Sequence, residues 1–242
     1  LSTTELHPGG ASGTPRARGR LITLEGGDGS GKSTQLRRLV DRLRAAGYDV
    51  LESMEPGGTP IGQQIRRILL DPANRDLSPT AELLLMFAAR AQNIDQWILP
   101  ALRAGRIVVS DRFTDSTLAY QGAARGLGAE TVLEVDRIAC RGLVPDLTLY
   151  IDVDVARGLE RARSRNQRGD GSESRLDDQD LAFHAAARAA YLRIAEEEPG
   201  RFKVIDGNRS IEAVAEDIWR AVAAIIIPRH HRDAPGSPPA EA

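Results

Sequence analysis

Gly26-Gly27-Asp28-Gly29-Ser30-Gly31-Lys32-Ser33-Thr34 matches G-x-x-x-x-G-K-[ST], a spacing that suits the polyphosphate of a nucleoside triphosphate. Glycines let successive backbone N–H groups curl around phosphate oxygens, and a helix N-terminus adds partial positive charge. The Lys32 ammonium reaches the β and γ phosphates, and the Ser33 hydroxyl is a ligand for Mg²⁺. A chance match is the alternative, and the context argues against it, because the run lies between an expected strand and an expected helix.

A phosphate loop alone does not separate a GTPase switch, an ATP-driven motor and a small-molecule kinase. The chain has no N-K-x-D guanine-reading tetrapeptide, and an apolar run at Ile107 to Ser110 ends in Asp111-Arg112 rather than in paired acids. A cation directly after the carboxylate at a strand end suits a second phosphate, which a guanidinium grips in a bidentate fork. Two phosphorylated substrates are therefore expected; a structural ion pair is the alternative for Asp111 and Arg112.

The elements that must position these groups alternate. Arg20 to Glu25 reads as a strand and Gly31 to Ala46 as a helix with apolar Leu36, Leu39, Val40 and Leu43 on one face. Tyr48 to Ser53 is a second strand, followed after a Pro56-Gly57-Gly58 turn by a helix over Pro60 to Leu70. Ser78-Pro79 caps a long helix to about Leu102, and Ile107 to Ser110, Leu147 to Ile151 and Phe202 to Ile205 complete the strands. The expected fold is α/β, a P-loop NTPase three-layer α/β/α architecture with a five-stranded parallel sheet flanked by helices. Such sheets bind ligands at the carboxyl ends of their strands, where both charged motifs fall.

Composition narrows the partners. Among 242 residues, 32 Lys and Arg oppose 34 Asp and Glu, so bulk charge recruits neither nucleic acid nor an anionic membrane. The single Cys140 excludes a disulfide framework and suits a reducing cytosol, and no apolar run reaches the roughly 18 residues of a membrane span. A cytoplasmic protein is expected, with polar extensions at residues 1–19 and 228–242 around a functional unit at 20–227. His184, His230, His231 and Cys140 have no partner at ligand spacing and read as structural or solvated.

A wider set of residues carries a resemblance. Asp111-Arg112-Phe113-Thr114-Asp115-Ser116-Thr117-Leu118-Ala119-Tyr120-Gln121 is similar to the signature of the thymidylate kinase family. Glu55-Pro56-Gly57-Gly58-Thr59, Met86-Phe87-Ala88-Ala89-Arg90 and Pro145-Asp146-Leu147-Thr148-Leu149-Tyr150-Ile151-Asp152 agree with it in order. The resemblance implies transfer of the ATP γ-phosphoryl group to dTMP, in a homodimer, with the apolar helix from residue 79 to 102 as a candidate face. It implies that Phe87 stacks on thymine, that Arg90 donates to thymine O4, that Thr117 and Gln121 line the base edge and that Tyr120 lies against the sugar. Arg112 and Arg66 would hold the dTMP phosphate, with Asp111 and Ser116 beside it. Without the resemblance, Phe87 reads as a core aromatic. The chain departs from the family at Met54, where Arg is common before Glu-Pro-Gly-Gly-Thr.

Arg157, Arg161, Arg163, Arg165, Arg168 and Arg175, broken by Gly169-Asp170-Gly171-Ser172, form a basic segment. It reads as a mobile lid over about 157–176. Phosphate loops that carry small residues, as at Gly29 and Ser30, resemble the family's second type, in which the catalytic arginine comes from the lid; Arg161 and Arg165 are the candidates. Catalysis is expected from Lys32, Asp28, Arg112 and a lid arginine, with Mg²⁺ held by Ser33 and, through water, by Asp28. A kinase for another monophosphate, or a nucleotide-gated regulatory protein lacking transfer, are the competing readings.

Overall fold

Residues 18–166 and 175–226 are described by a computed structural model of the chain. Its centre is strand β1, Arg20–Glu25, buried at every position after Arg20. β2 is Val50–Met54, β3 Ile107–Asp111, β4 Leu147–Asp152 and β5 Phe202–Asp206, and the five pair in the order β2-β3-β1-β4-β5. Every pairing is parallel, with Leu24 opposite Asp111 on one side and Leu149 on the other. A parallel sheet covered on both faces needs apolar residues on both sides of its inner strands. Along β1, Ile22 and Leu24 accordingly face one layer and Leu21 the other.

The first layer is α1, Lys32–Ala45, and α9, Ile211–Ile226. Leu36, Leu39, Val40 and Leu43 of α1 meet Val214, Ile218 and Val222 of α9 over the sheet, as the helical spacing requires. The second layer holds α2 (Pro60–Leu70), α3 (Pro79–Asn93), α4 (Leu99–Arg103), α5 (Thr114–Thr117), α6 (Ala129–Cys140), α7 (Val155–Asn166) and α8 (Leu181–Glu197). Thr59 caps α2 by accepting from the Gly62 N–H at 2.9 Å, and Ser78 caps α3 by accepting from Ala81 at 3.3 Å. Each cap is followed by a proline in the first turn, where a missing N–H costs nothing.

The expected single helix from residue 79 to 102 is helical throughout but not uniform. A π-helical turn at Ile94–Ile98 separates α3 from α4. Pro100 follows in the first turn of α4, and without an N–H it cannot continue the regular ladder. A second π-helical stretch, Leu118–Ala124, continues α5. Of the expected terminal extensions at 1–19 and 228–242, all but residues 18 and 19 lie outside the described residues, as does the centre of the basic segment, 167–174.

Candidate active site

The phosphate loop leaves β1 at its carboxyl end and enters α1 through Gly31, whose φ of 93° lies in the left-handed region. No side chain caps this helix, so its first N–H groups face the loop without a side-chain acceptor. Lys32 is buried, and its Nζ donates to the carbonyls of Gly26 at 2.8 Å and Gly27 at 3.1 Å. Burial and the nearby Arg112 charge lower its pKa, while Asp111, Asp28 and Glu25 oppose that shift. Two cations held this close repel one another, and an anion between them relieves both. Ser33 and Thr34 are exposed on the first turn, and Ser30 is buried.

Arg112 stands opposite, just past the end of β3, with a φ of 71°. Its Nη2 donates to Asp28 Oδ1 at 3.3 Å, so its carboxylate partner is Asp28 rather than the Asp111 of the alternative reading. Its Nη1 donates to the Ser116 hydroxyl at 2.9 Å and to the Tyr191 hydroxyl at 3.4 Å, and the guanidinium lies 5.0 Å from the Tyr120 ring centroid. Behind these hydroxyls is Glu25, fully buried at the last position of β1. Burial, reinforced by Asp115, pushes its pKa up to about 7 against the opposing effects of Arg112, Ser116 and Tyr191. His184 of α8 lies against the other side of Asp28, Nδ1 to Oδ2 3.8 Å.

The groups expected around the base lie on α3 and the helical run after Arg112. Arg90 donates from Nε to Glu55, from Nη2 to Thr117 Oγ1 at 3.0 Å and from Nη1 to Thr114 Oγ1 at 3.5 Å. Asn93 completes the cluster by donating to Glu55 at 3.2 Å. Gln121 donates to Glu82 at 2.8 Å, and Glu82 also accepts from Arg125 and Arg175. Burial alone raises the Glu82 pKa, but the bonds from Gln121, Arg125 and Arg175 outweigh it and hold the carboxyl below its usual range. Arg66 donates to the Pro56 carbonyl at 2.9 Å and so braces the Glu55-Pro56-Gly57-Gly58-Thr59 turn from α2. Met54, where the family commonly has Arg, is 39% exposed beside Gln63.

Phe87, the ring expected to stack on thymine, is buried. Its ring is 2% exposed and packs in the core with Leu21, Leu83, Val108 and Phe113, with the Arg90 guanidinium 4.7 Å from its centroid. The face that Phe87 shares with Leu83 and Ile94 is the one α3 turns towards the sheet. This is the core placement that the residues imply when read without the resemblance.

The basic segment divides. A Cβ on Gly29 would meet the Gly158 carbonyl oxygen at 2.1 Å and the Arg161 Cβ at 3.0 Å. The phosphate loop therefore abuts α7 backbone to backbone, and exposed Arg161 starts beside the loop. The Arg165 side chain lies outside the described residues, as do Arg163 and Arg168. Arg175 is not a lid cation: it is 5% exposed, donates to the Leu69 carbonyl and binds Glu82 at 2.6 Å. Two internal acceptors make it an anchor.

From the sequence, Glu25, Glu55, Glu82 and Tyr191 receive no role in the site, and His184 reads as structural or solvated; the site contains Glu25 and Glu55, and with them Tyr191 and His184. The last two are seven residues apart, which sets them on one face of α8. A carboxylate closing an apolar strand, as Glu25 does, was the one local signal available. Asp111 Oδ1 and Ser30 Oγ are buried with no hydrogen-bond partner among the described residues. Asp111 also acts electrostatically on Lys32, so its free oxygen is within reach of the loop's charge. No group of three or more His, Cys, Asp or Glu among the described residues could hold a metal unaided. That donor set fits a cation such as Mg²⁺, which keeps its waters and takes one or two protein oxygens plus substrate phosphates.

A phosphate loop feeding an uncapped helix, facing an arginine across the carboxyl end of a parallel sheet, defines a P-loop phosphotransferase fold built for two anionic ligands. The thymidylate kinase family profile matches residues 24–218. The chain is 51% identical over 200 residues to a thymidylate kinase of Syntrophotalea carbinolica, covering 82% of this chain and 93% of that protein. It is 49% identical over 201 residues to one of Pelobacter propionicus, covering 83% and 92%. The crystal structure of thymidylate kinase from Ehrlichia chaffeensis superposes with a TM-score of 0.69 at 29% identity, covering 85% of this chain and 98% of that one. The chain belongs to the thymidylate kinase family.

Proposed function

We propose that this chain carries out its family's reaction, ATP-dependent phosphorylation of dTMP to dTDP, with ATP on the Gly26–Thr34 loop and the dTMP phosphate on Arg112. The observation that carries the reading is Arg112 bonded to Asp28 of the phosphate loop, with the buried Lys32 near enough for the two cations to repel. An oxygen of the dTMP phosphate attacks the γ-phosphorus in line, the bond to the β-phosphate oxygen breaks, and ADP leaves with the electron pair. No general base is needed, since the attacking phosphate is already ionised near neutral pH.

Bringing two polyanions together is the main barrier, and cations lower it. Lys32 and Arg112 neutralise the donor and acceptor phosphates, and Arg161, starting beside Gly29, supplies charge to the transferring group, with Arg165 as the other candidate. An arginine in that role is worth about 10³ to 10⁵ in rate. Mg²⁺ would be held by Ser33 and Asp111, with Asp28 through water, and when bound it draws charge off the transferring phosphate. Arg90, Thr117 and Gln121 are assigned to the base edge, Tyr120 to the sugar, Ser116 and Asp111 to the phosphate's surroundings, and Arg66 to bracing the turn beside it. A donor-only guanidinium at O4 rejects the amino group of cytosine.

Homodimer formation and a cytoplasmic location are part of the same reading. Leu84 of α3 and Leu133 and Ile138 of α6 are 53%, 46% and 79% exposed on helices that pack together, the apolar area a dimer would cover. Among the described residues no helix is long and apolar enough to cross a membrane. Coupled ADP-release assays with dTMP, dUMP, dCMP, dGMP and AMP test the assignment. Turnover fastest on any acceptor but dTMP, or binding of both nucleotides without turnover, overturns it.

A further inference from the structure

Arg112 is held from outside its own strand, and both its backbone and the hydroxyls that meet its side chain are tied to the strand that carries the phosphate loop. The N–H of Arg112 donates to the Leu24 carbonyl at 3.0 Å, and the next N–H, of Phe113, donates to Glu25 Oε1 at 2.8 Å. The last two residues of β1 therefore clamp the turn on which Arg112 adopts its left-handed backbone, a conformation that costs a residue with a Cβ roughly 1–2 kcal/mol. Glu25 Oε2 accepts from the Ser116 hydroxyl at 2.5 Å and the Tyr191 hydroxyl at 2.9 Å. Both hydroxyl oxygens in turn accept from Arg112 Nη1.

We propose that Glu25 is a positioning residue of the acceptor site, fixing Arg112 through the Phe113 N–H on one side and the Ser116 and Tyr191 hydroxyls on the other. The proposal rests on the reading that Arg112 holds the acceptor phosphate. Hydroxyls interposed between Glu25 and the guanidinium orient Nη1 without a direct Glu25–Arg112 pair, leaving Asp28 on Nη2 as the carboxylate in direct contact. β1 runs straight into Gly26, so one carboxylate ties the acceptor's cation to the root of the donor's cradle. Glu25 is faced by Asp115 of α5, Tyr120, Tyr191 of α8, Lys32 of α1 and Arg112. A carboxylate kept there beside Asp115 is costly to bury, and packing alone does not call for one.

Glu25→Gln tests this because an amide has one accepting atom where the carboxylate has two. Either the Phe113 N–H or the pair of hydroxyls then faces a donor. The expected result is a rise of about tenfold in KM for dTMP, with kcat within about threefold and KM for ATP within about twofold. Ser116→Ala and Tyr191→Phe cut the same relay one hydroxyl at a time and carry the test if the glutamine variant does not fold. Each is expected to raise KM for dTMP about three- to fivefold, and Ser116→Ala added to Glu25→Gln changes it little further, since both break one linkage. Equal rises in KM for both substrates, an unchanged KM for dTMP, or fully additive effects overturn the proposal. Arg112→Ala separates the two claims. If it weakens dTMP while the relay variants do not, only the positioning role fails; if it leaves dTMP unchanged, the acceptor-site reading itself fails.

Discussion

The two ends of the active site solve opposite problems. At the end assigned to the base, donors and acceptors are already matched inside the protein: Arg90 with Glu55, Thr117 and Thr114, and Gln121 with Glu82. At the phosphate end, Lys32 and Arg112 repel one another, and buried oxygens of Ser30 and Asp111 have no hydrogen-bond partner among the described residues. The first is a rigid frame whose stability does not wait for a ligand. The second is held in a state that an anion and a cation together would relax, which is how a site converts binding into charge stabilisation in the transition state.

The largest expected effect comes from breaking the unrelaxed end. Lys32→Ala should lower kcat by on the order of 10³, roughly 4 kcal/mol, while leaving the melting temperature unchanged or raised, because it removes a charge whose burial is unfavourable. A lysine variant that unfolds readily would erase the contrast between the two ends. Phe87→Ala should act in the reverse sense, costing roughly 3–4 kcal/mol of stability as a buried aromatic truncation and affecting both nucleotides alike in titrations on folded protein. Selective loss of dTMP binding would return the ring to the base site.

Glu55→Ala sharpens the comparison from the frame side. It leaves the Arg90 guanidinium buried without its carboxylate, and breaking such a pair costs about 3 kcal/mol or more; chemical denaturation measures it. A smaller effect is read from pH. Glu25 takes up its proton at about 7 in the folded chain against 4.5 as the ordinary value, so between those pH values the folded state binds more protons than the unfolded one. Stability from this group is complete below pH 4.5 and is lost as pH rises through 7, by roughly 3 kcal/mol. Glu25→Gln should therefore gain on the wild type steadily from pH 5 to pH 8 in thermal melts. A gap that stays constant across that range would mean the carboxylate titrates normally.

What the sequence made legible was local. The phosphate loop is one unbroken run of residues, the caps at Thr59 and Ser78 sit beside their prolines, and the five strands are short apolar stretches separated by helices, although their order in the sheet is not written in that alternation. What it hid was made by contacts across long separations. Glu25 meets Tyr191 and Ser116, Glu82 meets Arg175, and His184 reaches Asp28, each pair joined only when helices settle on the second face of the sheet. Phe87 shows the limit of spacing arguments: a three-residue offset from Arg90 places both on one side of α3, but it does not say whether that side faces a ligand or the core. Arg175 shows the same for charge, since a basic run in sequence contains both a buried anchor and an exposed cation.

The contact between Gly29 and Gly158 leaves no room for so much as a methyl group: a Cβ on Gly158 would lie 2.6 Å from the Asp28 carbonyl oxygen. Precision at this junction comes from what is missing rather than from any attraction. A single added carbon on Gly158 would lever the arginine-bearing helix off the loop; if Arg161 serves the transferring group as proposed, turnover would fall silent with the phosphate loop and Arg112 unaltered.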